Sequence, residues 1–245
     1  MNKRRIWQNC SIAAGIGLIA LTGFGGLKGA IRPARPAAVQ SPGGAGETGT
    51  VTDVDGNVYK TVKIGGQWWM AENLRVTKDP EGNPIRSFVY NNDDRMASTY
   101  GRLYTWQAMM NGSSSPETQG IAPAGWHIPS LEEWQTLIDY LGGSEVAGGK
   151  MKETGLEHWA APNAGATNSS GLTLVAAGSY VVSQNRYCDL KAGAHILTSS
   201  SEGDFGIFVA VATHSADIGS SSIPKADIAF SVRCVKNGPA AGHLQ

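Results

Sequence analysis

From residue 51 onward the apolar positions fall into short alternating groups. Val51, Val54, Val58, Val62 and Ile64 are divided by the turn signals Asp55-Gly56 and Gly65-Gly66, which predicts short antiparallel strands joined by tight turns. In such a strand the adjacent Trp68 and Trp69 point to opposite faces. Residues 75–99 contain Pro80, Gly82 and Pro84 and keep no period, so they are expected to be mainly loop. A helical period is clearest further on, where Leu131, Trp134, Leu137, Ile138 and Leu141 share one face. Ser130 and Glu133 form a capping box at its start, and Gly142-Gly143 ends it. A shorter helix is expected over 145–153, weakened by Gly148 and Gly149. Strands are expected at 172–176, 196–199, 207–212 and 230–235. Strands on both sides of a central helical section predict the α+β class, with one domain over 51–237.

The ends of the chain read differently. Lys3, Arg4 and Arg5 precede a charge-free, mostly apolar run from Ser11 to Leu27, so residues 1–30 have the outline of an export signal or an N-terminal membrane anchor. Cys10 follows Trp7, Gln8 and Asn9, which is not the approach to a lipidated cysteine. Residues 31–50 are rich in Pro, Gly, Ala and Ser and read as a flexible linker, and 238–245 as a disordered tail. The expected location is therefore extracytoplasmic, secreted or anchored at the cell envelope.

Charge narrows the partners. Lys plus Arg and Asp plus Glu each count 20, so no net field draws the protein to nucleic acid or acidic lipid. Membrane contact is expected only through the N-terminal segment. In an oxidising compartment Cys188 and Cys234 can pair. Neither has a second cysteine or a histidine at ligand spacing, which disfavours zinc.

Five ordered strings carry a family resemblance: "DVDGNVYKTVKIGGQWWMAENLR" at 53–75, "YGRLYTWQAM" at 100–109, "GIAPAGWHIPSLEEWQTLIDYLGG" at 120–143, "GGKMKETGLEHWAAPNAGATNSSGLT" at 148–173 and "FSVRCVK" at 230–236. Together they resemble the Fibrobacter succinogenes major paralogous domain family, known mostly from Bacteroidetes and Fibrobacteres surface proteins. That family in turn looks like a formylglycine-generating-enzyme-like branch of the C-type-lectin-like superfamily. The resemblance implies a domain with two helices, a small twisted antiparallel sheet and long loops that display a binding surface. Two departures stand out. Ala122 occupies a position where family members commonly have a cysteine, and 180–199 lacks the usual aromatic and Trp-Ser-Ser pattern.

The resemblance directs attention to the loops after residue 180. Tyr180, Gln184, Asn185, Arg186, Tyr187, Asp189 and His195 are side chains of the kind that give aromatic anchors and adaptable polar contacts, and they are the candidate ligand-binding residues. The function expected is a non-catalytic binding or adhesion module for a glycan or surface-protein ligand, of a kind that some superfamily members diversify. Alternatives are a structural cell-envelope or pilus-associated subunit, and a divergent formylglycine-generating-like enzyme. The last would be a copper-dependent oxidase and needs a reactive cysteine pair, whereas Cys188 and Cys234 sit in different motifs. The histidines accompany no nucleophile motif, and His127 reads as a structural, hydrogen-bonded residue. No metal or other cofactor is expected, since calcium has no recognised loop among Asp53, Asp55, Asp93 and Asp94.

Overall fold

A computed structural model describes residues 46–238. The apolar run at 11–27 and the tail after 238 lie outside the described residues. Among the described residues no helix is long and apolar enough to cross a membrane.

The chain opens with a hairpin of β1 (Thr48–Thr52) and β2 (Val58–Ile64), paired from Thr48↔Val62 to Thr52↔Val58, and β3 (Gln67–Met70) follows after Gly65-Gly66. The first strand thus begins within the segment expected to be linker. The reason is its full register with β2, which gives Thr48 and Gly49 ladder partners in Val62 and Thr61. Asp53 shapes the first turn: its carboxylate accepts the Asn57 backbone and side-chain N–H groups, each at 2.9 Å, and the Tyr59 hydroxyl at 2.5 Å. Asp79 and Asn83 repeat the pattern, with an N–H at 2.7 Å and an amide at 3.0 Å, so "DVDGN" and "DPEGN" are two copies of one turn.

Residues 75–99 are mostly irregular, as expected, with short helical turns at Tyr90–Asn92 and Asp94–Met96, and a single turn α1 (Ala97–Tyr100) closes the stretch. Then come β4 (Tyr104–Thr105), α2 (Trp106–Met110) and β5 (Trp126–His127). Helix α3 (Leu131–Tyr140) starts with the predicted box: Ser130 Oγ accepts the Glu133 N–H at 3.2 Å, and the Glu133 carboxylate accepts the Ser130 N–H at 2.9 Å. His127 joins this cap, its Nε2 lying 2.9 Å from Glu133 and its Nδ1 2.7 Å from Asn237. Burial pulls the imidazole pKa down, but the bonds to Glu133 and Asn237 and the fields of Glu133 and Glu117 leave it raised.

Helix α4 (Ser144–Met151) contains the two glycines that weaken its propensity, and packing explains them. A Cβ at Gly148 would lie 2.4 Å from the Asp217 carbonyl oxygen, and one at Gly149 2.4 Å from that of Gly165. The helix tolerates poor intrinsic stability because two loops press onto its backbone.

The remaining strands are β6 (Ser179–Val181), β7 (Arg186–Cys188), β8 (Gly193–Glu202), β9 (Phe205–Ala212), β10 (Gly219–Pro224), β11 (Ile228–Phe230) and β12 (Val235–Lys236). They complete three antiparallel sheets, ordered β1-β2-β3-β12-β5, β10-β9-β8 and β4-β11-β6-β7. The fold is α+β. Two expected strands are corrected. Residues 172–176 make only a bridge between Leu174 and Lys152, because the carbonyls of Leu172 and Thr173 turn to Arg233 and that of Leu174 to Trp159 Nε1. Residues 230–235 break into β11 and β12, whose intervening carbonyls serve Leu197, Leu74 and Met70 from three directions.

Period-two alternation sends successive side chains of the first sheet into different cores. Val62, Ile64, Trp69 and Val235 face one cluster, with Trp134, Leu137 and Ile138 of α3. Tyr59, Met70 and Cys234 face the other, against which Trp68 also packs. Trp69 and Trp134 meet with ring centroids 4.6 Å apart.

His195 of β8 belongs to the core and not to a surface, which corrects its placement among the binding residues. Alternation along β8 turns it, with Leu197, toward the second cluster, where its ring stacks on Phe230 at 4.8 Å. Burial depresses its pKa to about 4, opposed by a backbone hydrogen bond with Gly178.

Two stability outcomes follow. Trp134 is fully buried, so Trp134→Ala should cost about 3–5 kcal/mol in chemical denaturation, with a lowered Tm. The unfolded His195 takes a proton near pH 6.5 while the folded ring stays neutral down to about 4. Stability present above pH 6.5 should therefore be lost as pH falls from 6.5 to 4, by about 3 kcal/mol for this group. Denaturation midpoints measured across that range should fall less steeply in His195→Gln than in the parent chain.

Candidate functional site

The β6–β7 hairpin brings six of the seven sequence-identified residues to one region. Tyr180 and Tyr187 are direct cross-strand partners, so both rings lie on one face, 4.6 Å apart. Tyr90, from the irregular segment nearly a hundred residues earlier, packs on Tyr187 at 4.9 Å, and Phe88 on Tyr180 at 4.2 Å. The Arg86 guanidinium lies 5.1 Å from the Phe88 centroid. The result is a run of four rings, Phe88, Tyr180, Tyr187 and Tyr90, of which Tyr180 is buried and the other three half-buried.

Hydrogen bonds fix the phenol groups. Tyr180 Oη donates to Asn185 Oδ1 at 2.6 Å, and Tyr187 Oη to Asn92 Oδ1 at 2.9 Å. Burial raises the pKa of both Tyr90 and Tyr187, so these hydroxyls stay protonated at neutral pH. At the hairpin tip, Ser183 donates its N–H and its hydroxyl to the Asp227 carboxylate, at 2.8 and 3.1 Å. Gln184, Asn185 and Arg186 are exposed around the rings, as are Asn91 and Asn92 on the facing segment.

The backbone here is unusual. Of the ten non-glycine residues with positive φ among the described residues, Asn91, Asn92, Asn185, Asp189 and Lys191 belong to these two segments. Asn and Asp tolerate the left-handed region better than other non-glycine residues, whereas Lys191, at φ +64°, holds it at greater cost. The Asp189 carbonyl accepts the N–H groups of Ala192 and Gly193, which keeps the turn closed.

The cysteine pair is corrected. Cys234 is a free thiol, fully buried in the second core cluster, while Cys188 ends β7 in a different sheet. Burial pushes the Cys234 thiol far above its ordinary pKa, and the Asp53 charge adds to the effect. Ala122, at the position where the family pattern has a cysteine, packs in the same cluster as Cys234.

Phe88, Tyr90 and Asn92 are site residues that lie in the segment expected to be loop. The spacing of Phe88 and Tyr90 is strand-like, and that alternation is the signal that could have found them. A polar cleft around Arg233, Glu153 and His158 has no signature in the sequence, because it draws on residues from seven separated stretches of chain.

Among known families, the Fibrobacter succinogenes major domain matches residues 62–236 of this chain. No curated protein and no solved structure matches it. The match spans β2 to β12 and so takes in nearly every element described above. With its capped α3 helix and its aromatic hairpin, the chain belongs to the Fibrobacter succinogenes major domain family.

Proposed function

We propose that this protein is an extracytoplasmic, non-catalytic binding module that recognises a surface-protein ligand through the aromatic face of the β6–β7 hairpin. The observation that carries the reading is the pinned pair Tyr90 and Tyr187. Two half-buried rings from distant segments meet at a tilt with centroids 4.9 Å apart, with exposed amides and the Arg186 guanidinium around them. Tyr and Arg dominate the energetic centres of protein interfaces, and rings already held by hydrogen bonds lose little freedom on binding. Between protein and glycan ligands, the tilt of the rings favours protein. The Tyr90–Tyr187 and Tyr180–Tyr187 planes meet at 47° and 46°, which suits interdigitating side chains better than one flat sugar ring.

The wider reading, a C-type-lectin-like domain, is supported by two longer helices, short antiparallel strands and a loop-built face. Location rests on the basic and apolar N-terminal pattern. Against the oxidase alternative stands Cys234, since a buried thiol with raised pKa is a poor nucleophile. One observation favours the rival structural-subunit reading: among the described residues β1 forms an outer sheet edge with exposed residues, where another strand could add.

Biolayer interferometry against a panel of purified extracellular proteins, with a glycan array beside it, tests the proposal. Saturable binding by monomeric protein is expected. Arg186→Ala and Gln184→Ala should weaken it about tenfold or more with Tm unchanged, because both side chains are exposed. Concentration-dependent self-association without any ligand would replace this reading with the structural one.

A further inference from the structure

Apart from the hairpin face, the β2–β3 region, the 168–175 loop and the segment around His158 enclose a cleft of about 760 Å³. That volume is in the range of small-molecule sites, and by residue type the lining is richer in hydroxyl, amide and charged side chains than is usual for one. Val62, Ala71 and Val175 supply its aliphatic side chains, and most of the remaining wall is hydroxyl, amide or charged.

Arg233 lies at the cleft and is fully buried. Its Nε donates to Asn73 Oδ1 at 2.8 Å, Nη1 to the carbonyls of Met70 and Leu172, and Nη2 to the Thr173 carbonyl at 2.9 Å. A guanidinium has five N–H donors. These bonds use four, and the second donor of Nη2 has no protein partner among the described residues. Among the described residues no carboxylate bonds to this cation; Glu72 acts on it through its field. Burial lowers the guanidinium pKa to about 9. An unused donor on a buried, unneutralised cation is a strong demand for an acceptor.

Acceptors with spare capacity also line the cleft. Glu72 accepts the Lys60 N–H through Oε2 at 2.6 Å, which leaves Oε1. Glu153 holds His158 Nδ1 at 2.8 Å, while His158 Nε2 is 3.8 Å from Glu157, beyond hydrogen-bonding distance. Ligand charge is thereby constrained. A free anion attracted by Arg233 meets Glu72 and Glu153, and a cation attracted by the carboxylates meets Arg233. A hydroxyl group satisfies both, since it accepts from the guanidinium and donates to a carboxylate.

We infer that this cleft is a second ligand site, distinct from the hairpin face, built for a neutral, hydroxyl-rich ligand of the saccharide class. Arg233 and Glu72 take neighbouring hydroxyls, the Glu153–His158 pair takes another, and Val62 and Val175 meet the C–H face of the sugar ring.

Isothermal titration of the full chain with xylotetraose, cellotetraose and mannotetraose, and with tetragalacturonate as the charged counterpart, tests this. Saturable binding of at least one neutral oligosaccharide is expected, with tetragalacturonate about tenfold weaker or worse. Glu72→Gln keeps an acceptor for the Lys60 N–H but removes the charge, and should weaken binding about tenfold at unchanged Tm. Arg186→Ala should leave the affinity as it was. Arg233→Lys should abolish binding; should that variant fail to fold, Glu72→Gln carries the test alone. The inference is overturned when no neutral oligosaccharide binds, when tetragalacturonate binds as tightly, or when Glu72→Gln has no effect.

Discussion

Long cationic side chains stand in for missing sheet in this molecule. A chain with so many irregular connections brings backbone carbonyls into its interior without ladder partners, and each must still be hydrogen-bonded. Arg233 collects the carbonyls of Met70, Leu172 and Thr173, and Lys152 Nζ collects those of Ala164, Ala212 and Ser215. Both side chains are fully buried. Asn73 extends the Arg233 network to the Tyr100 carbonyl and the Ser231 hydroxyl, so segments from four parts of the sequence converge on one guanidinium. These two cations help to hold the 160–175 and 212–217 loops against the cores.

That arrangement also explains what sequence reading could and could not recover. The β1–β2–β3 meander, α3 and the β8–β9 pair announce themselves because the forces that form them are local: turn chemistry, capping and period. Residues 172–176 are an apolar run that looks like a strand, yet their carbonyls are claimed by side chains from elsewhere. Strands β4, β5 and β12 have two residues each, too short for any period to register. Gly148 and Gly149 seem to argue against a helix until the loop carbonyls pressed onto them are seen.

The candidate face divides along the same line. Tyr180 and Tyr187 were legible as a polar and aromatic concentration, and the hairpin register joins them. Phe88, Tyr90 and Asn92 were not, since their part depends on a contact between segments nearly a hundred residues apart. His195 misled because residue type suggests a surface while strand alternation places it on Phe230. Residue chemistry proposes candidates; the parity of a strand decides which of them reaches solvent.

The first hairpin has a practical meaning for anyone cutting this domain out of a longer chain. The family match begins at Val62, inside β2, whereas the ladder between β1 and β2 runs back to Thr48. A fragment started at the match boundary would keep only three residues of β2 and lose Tyr59 together with its anchor Asp53. It would strip one wall from the second core and bare the flank of β3, inviting the aggregation that sheet edges invite. The physical unit is longer than the unit of sequence similarity, and its beginning is marked by hydrogen bonds, not by conserved-looking words in the text of the chain.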